Sequence, residues 1–164
     1  MRALMPIASG ILLAVLALAG APSPAAAVNC GNLNATAIDF GTYNPNRVSA
    51  TLSQGTVNVR CTGLGKIKGK SVRITLESGS SGNCADRHMT SGQGVLRYGL
   101  YRDAAHTRPV GRASHGCVDL FGPALVPKGD LDLSLTIYGL IPPGQPIAAG
   151  VYADNIHLVI EFFD

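Results

Sequence analysis

AGVYADNIHLVIEFFD, residues 149–164, is a glycine turn followed by alternating apolar and polar side chains. The apolar members share one side of the chain and are Ile156, Leu158, Ile160 and Phe162. This alternation is typical of a half-buried β-strand. Because a strand without a neighbour leaves a row of backbone N–H and C=O groups unpaired, we expect a partner along its free edge.

Five earlier stretches alternate in the same way and are separated by turns rich in Gly, Pro, Asn and Ser. They are residues 34–41, 55–61, 71–78, 95–103 and 131–139. No segment after residue 27 repeats its apolar residues with the 3.6-residue period of an amphipathic helix. Short strands joined by such turns predict an all-β sandwich.

The first 27 residues have the pattern of a secretory signal peptide. Arg2 supplies a positive start, residues 11–18 are apolar, and three alanines at 25–27 offer a cleavage site. The apolar run is far shorter than the ~20 residues that cross a bilayer, so we expect no transmembrane segment. Residues 28–164 are expected to form one secreted domain.

Charge and motif patterns argue against several other functions. The basic residues are scattered, apart from Lys66, Lys68 and Lys70 in one turn, which is too little for a nucleic-acid surface. No G-x-S-x-G is present, and Asp86 to His88 are neighbours that would point to opposite faces of a strand. We therefore expect no catalytic residue, no cofactor and no enzymatic activity.

The histidines do not have the spacing of a metal site. They are His88, His106, His115 and His157, and no two are placed as H-x-H or H-x3-H. Zinc and copper sites normally use such closely spaced ligands. We expect solvated surface histidines and no bound metal.

All four cysteines follow the predicted signal peptide: Cys30, Cys61, Cys84 and Cys117. An even number in a secreted chain indicates two disulfides, for which three pairings are possible. Cys30 precedes the first predicted strand and Cys61 ends the second, so these two meet if the strands are antiparallel neighbours. This strand order favours Cys30–Cys61, and Cys84–Cys117 follows by elimination.

Several spaced motifs together resemble one known family. Cys30 is followed in order by IDFGTYNP (38–45), GTVNVRC (55–61), RHMT (87–90), VLRYGLYRD (95–103) and AGVYADNIHLVIEF (149–162). This set, spread over nearly the whole of residues 28–164, resembles the spore coat protein U family, which includes subunits of archaic chaperone–usher pili. The resemblance implies a secreted bacterial subunit with an immunoglobulin-like β-sandwich that lacks its final strand.

The resemblance also implies how the free edge is covered. In such subunits the C-terminal strand borders a groove, which a periplasmic chaperone fills first. A neighbouring subunit's N-terminal extension then replaces the chaperone at the outer-membrane usher, a form of β-augmentation called donor-strand complementation. The strand-acceptor edge would then consist of Ile156, Leu158, Ile160 and Phe162. The expected product is a fimbrium or coat at the cell surface, with roles in cell adhesion and biofilm.

One feature differs from polymerising members of that family. Only Val28 and Asn29 separate the predicted cleavage site from Cys30, which is too short for a donor strand. We therefore expect a subunit that accepts a strand but donates poorly, at a pilus tip or in a coat. An alternative is an adhesin-like binding module that uses the loops 78–83 and 120–129, and a periplasmic enzyme is a third, disfavoured hypothesis. In the second loop we expect Leu120, Phe121, Leu125 and Val126 to pack inside.

Overall fold

A computed structural model of the chain describes residues 28–67, 69–92, 94–111, 116–127 and 129–163. The predicted signal peptide lies outside the described residues, as do Lys68 and His115. Within the described ranges, no helix is long and apolar enough to cross a membrane.

The described part of the chain folds into two antiparallel sheets. Its strands are β1 (Asn29–Ala35), β2 (Thr51–Thr62), β3 (Ser71–Leu76), β4 (Arg87–Ser91), β5 (Gly94–Tyr101), β6 (Phe121–Leu125), β7 (Leu131–Ile141) and β8 (Leu158–Phe163). The larger sheet has the order β1-β2-β7-β5-β4, and the smaller has the order β6-β3-β8. Two short 3₁₀ turns, Leu64–Lys66 and Gly79–Ser81, accompany them. The predicted all-β sandwich is confirmed.

The ladder between β2 and β7 is the centre of the larger sheet. It pairs the two strands without interruption from Thr51 and Ile141 to Cys61 and Leu131. Every second residue of β2, from Gly55 to Cys61, is buried, and the residues between them are not. This is the alternation of a strand with one face on the core, and it places the apolar side chains of β2 and β7 between the sheets.

The predicted strand over residues 34–41 is wrong. β1 ends at Ala35, and the chain then leaves the ladder and crosses the inner face of the larger sheet. Ile38 and Phe40 lie there over two glycines: a Cβ on Gly55 would be 2.7 Å from Ile38 Cγ1, and one on Gly139 would be 2.6 Å from Phe40 Cζ. The missing side chains of these glycines leave the space that the crossing segment occupies.

Besides most of β1, the strands β4 and β6 were not predicted. β4 begins with a buried arginine, and β6 contains Gly122 and Pro123, so neither has the expected apolar alternation. Around β6, Leu120 and Val126 are buried as expected and Phe121 is half-buried. Leu125 is 75% exposed, contrary to expectation, because it lies on the outer face of an edge strand opposite Ser71.

The structure contains both of the disulfides that strand order favours. Cys30–Cys61 joins β1 to β2 at the edge of the larger sheet. Cys84–Cys117 joins the turn before β4 to the segment before β6. Cys61 is completely buried, and Cys84 and Cys117 are nearly so. The two bonds therefore connect separate elements within the sandwich.

Candidate functional site

β8 has a strand neighbour on only one side among the described residues. It pairs with β3 along its whole length, from Leu158 opposite Leu76 to Phe163 opposite Ser71. It is the last strand in the order β6-β3-β8, so no described strand pairs with its other edge. That edge presents backbone donors and acceptors at every second residue.

The inner face of β8 is apolar but incompletely covered. Directly opposite residues of an antiparallel pair point to the same face, and Ile160 lies opposite Ile74, which is fully buried. Leu158 and Phe162 share this inward direction, as the sequence predicts. All six residues of β8 are nevertheless only half-buried. The core therefore ends at β8 with apolar side chains that solvent still reaches.

A cleft of about 260 Å³ opens beside the chain that leads into β8, and we call it the β8 cleft. Its walls include the segment after β1 and the segment before β8, and its floor comes from the core strands. The lining is mostly apolar and consists of Ala35, Thr36, Ala37, Ile38, Phe40, Val57, Leu76, Met89, Tyr98, Leu100, Ile137, Asp154 and Ile156. An apolar side chain could enter here from outside the sandwich.

Ile156 belongs to the β8 cleft but not to β8. The strand begins at Leu158, two residues later than the alternation predicts, because Ile156 has left the ladder with β3. Its side chain packs against the core and lines the cleft. Of the four predicted edge residues, three are therefore on the strand and one is in the wall that leads to it.

β1 is one of the two edge strands of the larger sheet, and β4 is the other. Leu33 lies opposite Val59, which is buried on the inner face, so Leu33 also points inward. It is nevertheless 49% exposed. Ala35, on the same face of β1, lines the β8 cleft. β1 and β8 thus both carry inward apolar side chains that are not fully covered.

The segment before β8 is bonded to both sheets. Ala153 exchanges two backbone hydrogen bonds with Thr90 of β4, at 3.1 and 3.2 Å. Four residues later, the carbonyl of His157 accepts from the N–H of Glu77 at 2.9 Å. The start of β8 is therefore held by the larger sheet before it joins the smaller one.

Asp154 is the charged group of the β8 cleft. Tyr98 Oη donates to its Oδ2 at 2.7 Å, and Ser80 donates to its Oδ1 through the backbone N–H at 3.0 Å and the hydroxyl at 2.7 Å. Burial opposes ionisation of Asp154, but these hydrogen bonds and one from the Asn155 N–H outweigh it, so the pKa of Asp154 lies below its ordinary value. Burial, with the bond to Asp154, raises the pKa of Tyr98.

Arg87 is a fully buried arginine behind this pair. Its Nη1 donates to the carbonyl of Glu77 at 2.6 Å and its Nη2 to the carbonyl of Val110 at 3.0 Å. Burial lowers the pKa of Arg87, and the nearby Tyr98 and Asp154 oppose that shift. The sequence pattern gave Arg87 no structural role, because residues 86–88 were considered only as a possible acid/base group and rejected as one. The signal that could have identified it is parity, since Arg87 pairs with the inward Tyr98.

The described histidines do not form a site together. His157 is exposed and its Nδ1 lies 3.2 Å from Glu77 Oε2. His106 differs from the expected solvated histidine, because its ring packs edge-on against Tyr101 and Tyr138. Within the described ranges, no group of three His, Cys, Asp or Glu side chains is placed to hold a metal ion.

Comparison with known proteins identifies a matching family. The model of the Spore Coat Protein U domain family matches residues 16–158, which is most of the chain. A search of curated protein sequences finds no significant match.

Two solved structures are similar in fold. One is the CsuC–CsuE chaperone–tip adhesion subunit pre-assembly complex from archaic chaperone–usher Csu pili of Acinetobacter baumannii: 19% identity, TM-score 0.52, covering 83% of this chain and 40% of that one. The other is a chaperone–usher pilus studied for rod uncoiling: 11% identity, TM-score 0.53, covering 98% of this chain and 99% of that one. This chain thus spans two fifths of the length of the first structure and nearly all of the second. At these identities the likeness is one of fold.

Proposed function

Because the chain belongs to the Spore Coat Protein U domain family, we propose that it is a structural subunit of a chaperone–usher pilus or of a related cell-surface coat, and not an enzyme. The observation that carries this proposal is the free edge of β8 beside an apolar cleft, with inward side chains left half-buried. An edge of this kind suits the addition of a strand from another chain.

The mechanism is donor-strand complementation. A strand from a partner pairs with the free edge of β8 and satisfies the backbone groups that β3 leaves unpaired. Alternate apolar side chains of that strand cover the inner face of β8, where Leu158, Ile160 and Phe162 lie, and enter the β8 cleft beside Ile156. Residues 28–164 act as one domain, and these four residues form the acceptor edge.

The partners follow from this mechanism. A periplasmic chaperone supplies the first strand, an outer-membrane usher exchanges it, and another subunit supplies the final strand. The subunit passes through the periplasm and ends at the cell surface. The complex between a chaperone and a tip subunit among the similar structures supports this order of partners.

The free energies involved make completion important. A buried backbone group without a hydrogen-bond partner costs roughly 1–3 kcal/mol. A whole domain is stable by only ~5–15 kcal/mol. Where the free edge of β8 reaches water its unpaired groups cost less than this, but the half-buried apolar face of the strand adds a further loss. We therefore expect the isolated subunit to be marginally stable, and a seated donor strand offsets that loss.

The experiment is to measure melting of residues 28–164 with and without a peptide of alternating apolar residues, added free or fused at the C-terminus through a flexible linker. We expect the peptide to raise the Tm and to convert aggregates or strand-exchanged dimers into a monomer. The control peptide carries Asp at the apolar positions and should have no effect. A stable monomer whose Tm ignores both peptides would show that the fold is already complete, and the proposal would fail.

An adhesin-like role at a pilus tip is the alternative, and the exposure of Leu125 favours it. This leucine lies on the outer face of β6, away from the β8 cleft, within the loop expected to bind a receptor. We expect Leu125→Asp to leave peptide-induced stabilisation unchanged. If the alternative holds, the same variant reduces attachment of subunit-coated beads to an apolar surface, and unchanged attachment contradicts it.

A further inference from the structure

Arg87 links the two sheets at the point where β8 begins. Its side chain is fully buried, and its two terminal nitrogens donate to the carbonyls of Glu77, which follows β3, and Val110. A guanidinium normally reaches solvent or pairs with a carboxylate. Here it is used instead to hold main-chain atoms of two other segments.

Two routes, one of hydrogen bonds and one that begins with a strand pairing, lead from Arg87 to the start of β8. In the first, Arg87 holds the Glu77 carbonyl, and the Glu77 N–H donates to the carbonyl of His157, the residue before β8. In the second, Tyr98 lies opposite Arg87 in the pairing of β4 with β5, and its hydroxyl donates to Asp154. Both routes reach the segment from Asp154 to His157, which forms one wall of the β8 cleft.

We propose that Arg87 is a positioning residue for strand acceptance: through Glu77 and through the Tyr98–Asp154 pair, it fixes the start of β8 and so keeps the β8 cleft open to a donor strand. This inference rests on the proposed function. It adds a residue that does not touch the donor strand but determines whether the strand fits.

Stability alone does not account for this arrangement. The Nε of Arg87 is buried without a hydrogen-bond partner, which is a cost. Replacing buried charged groups by apolar ones of similar size is often neutral or stabilising. The Arg87 side chain donates to two main-chain carbonyls and leaves its Nε unpaired. This arrangement is better explained by the positions it imposes on those two carbonyls than by a gain in stability.

The test measures the affinity of residues 28–164 for the alternating apolar peptide, together with the Tm of the peptide-free chain. We expect Arg87→Met to bind the peptide at least about tenfold more weakly, by more than its change in Tm accounts for. Tyr98→Phe, which removes the hydroxyl bonded to Asp154 and keeps the ring, should weaken binding several-fold, by more than its change in Tm accounts for. Arg87→Lys, which keeps one cationic donor, should recover part of the affinity lost in Arg87→Met.

The matched control is Arg97→Met. Arg97 lies on β5 beside Tyr98, but its side chain is 63% exposed and pairs with Asp86 at the surface. This variant should bind the peptide like the wild type. Hydrogen exchange at the Val159 amide, which faces Thr75 in the β3–β8 ladder, gives a second readout, and it should be faster in Arg87→Met and unchanged in Arg97→Met.

The outcomes separate this inference from the proposed function. If the wild-type chain does not respond to the peptide, the proposed function itself fails. If the wild type binds and both Arg87→Met and Tyr98→Phe bind equally well, Arg87 does not position the cleft. If affinity and Tm fall together in both variants, the role of Arg87 is purely structural, and the inference is overturned.

Discussion

Asp154 makes the start of β8 sensitive to acid. It faces Arg87 of β4 and Tyr98 of β5, and its pKa is below the ordinary value. A carboxyl whose pKa is lower in the folded than in the unfolded chain stabilises the fold above its unfolded pKa. That contribution is lost as the pH falls through the folded pKa. It is therefore complete at neutral pH and disappears only below about pH 4.

Carboxyl groups titrate between about pH 5 and about pH 2. Over this range we expect the Tm of the wild type to fall more steeply than the Tm of Asp154→Asn. The asparagine does not ionise, so the two curves should converge in acid. Asp132→Asn, at an exposed position of β7, is the control and should follow the wild type. Parallel curves for wild type and Asp154→Asn would contradict this role for Asp154.

Gly139 is a second residue whose effect can be measured alone. A Cβ at this position would lie 2.6 Å from Phe40 Cζ and 2.9 Å from Ile38 Cγ2. Overpacking of this kind typically costs about 1–3 kcal/mol, so we expect Gly139→Ala to lower the free energy of unfolding in urea by that amount. Gly129→Ala, where a Cβ meets nothing within 4 Å, is the control. Equal stability of the two variants would mean that the segment after β1 does not press on the larger sheet.

At the scale of elements, β8 shows what alternation alone can predict. Its alternation is uninterrupted, so both its type and its inward residues follow from the sequence, and only its first residue is misplaced. The segment 34–41 alternates as well, yet it crosses the sheet, because its path depends on Gly55 and Gly139, which are distant in sequence. β4 was missed because Arg87, an inward residue of that strand, looks like a surface residue when only composition is considered.

The inward direction of the Leu158 side chain can be tested by substitutions at two adjacent positions. Leu158→Asp places a charge on the inner face, where a seated donor strand would bury it, so we expect the alternating apolar peptide to lose all measurable binding. His157→Gln changes an exposed side chain and should bind normally. Glutamine is chosen because Glu77 lies 3.2 Å from His157 and would repel a carboxylate.

Fluorescence anisotropy of the labelled peptide measures both variants. Retention of binding by Leu158→Asp would show that the peptide docks elsewhere, and loss of binding by His157→Gln would show that both faces of this segment are in contact with it.

At the scale of the whole molecule, the two disulfides contribute to the free energy of unfolding of the sandwich. The bonded cysteines are 31 and 33 residues apart, so each bond restricts the unfolded chain to a similar degree. In the chain-entropy model a loop of this length is worth about 3–4 kcal/mol. This is a large part of the ~5–15 kcal/mol by which a domain is stable.

We expect Cys30→Ala/Cys61→Ala to be largely unfolded without the donor peptide and to refold when the peptide is added, because binding to the folded state alone shifts the equilibrium. Circular dichroism with increasing peptide measures this. The wild type treated with a thiol-blocking reagent but no reductant is the control. A double variant that melts like the wild type would show that the disulfide adds nothing to the marginal fold.

The class of the whole fold could be predicted because turn residues recur at strand-length intervals, and strand order then favoured the disulfide pairing. The Arg87 contacts with Glu77 and Val110 could not be predicted, since they connect carbonyls that no side-chain pattern marks. The family resemblance implied a groove along the C-terminal strand, whereas the β8 cleft is lined by the segment before that strand. The polar end of the cleft at Asp154 could not be predicted, because it depends on contact between Tyr98 of β5 and the segment before β8.

The double attachment of the segment before β8 has a mechanical consequence. Tension applied to a strand seated along β8 passes into the β3–β8 ladder, whose hydrogen bonds lie across the direction of pull and therefore bear the load together. Part of that load is carried on through Glu77 and His157, and through Thr90 and Ala153, into the larger sheet. Forced unfolding is governed by the rate of rupture and not by the small equilibrium stability. If the proposed function holds, a subunit with little equilibrium stability in solution is therefore still a durable link in a fibre under brief strain.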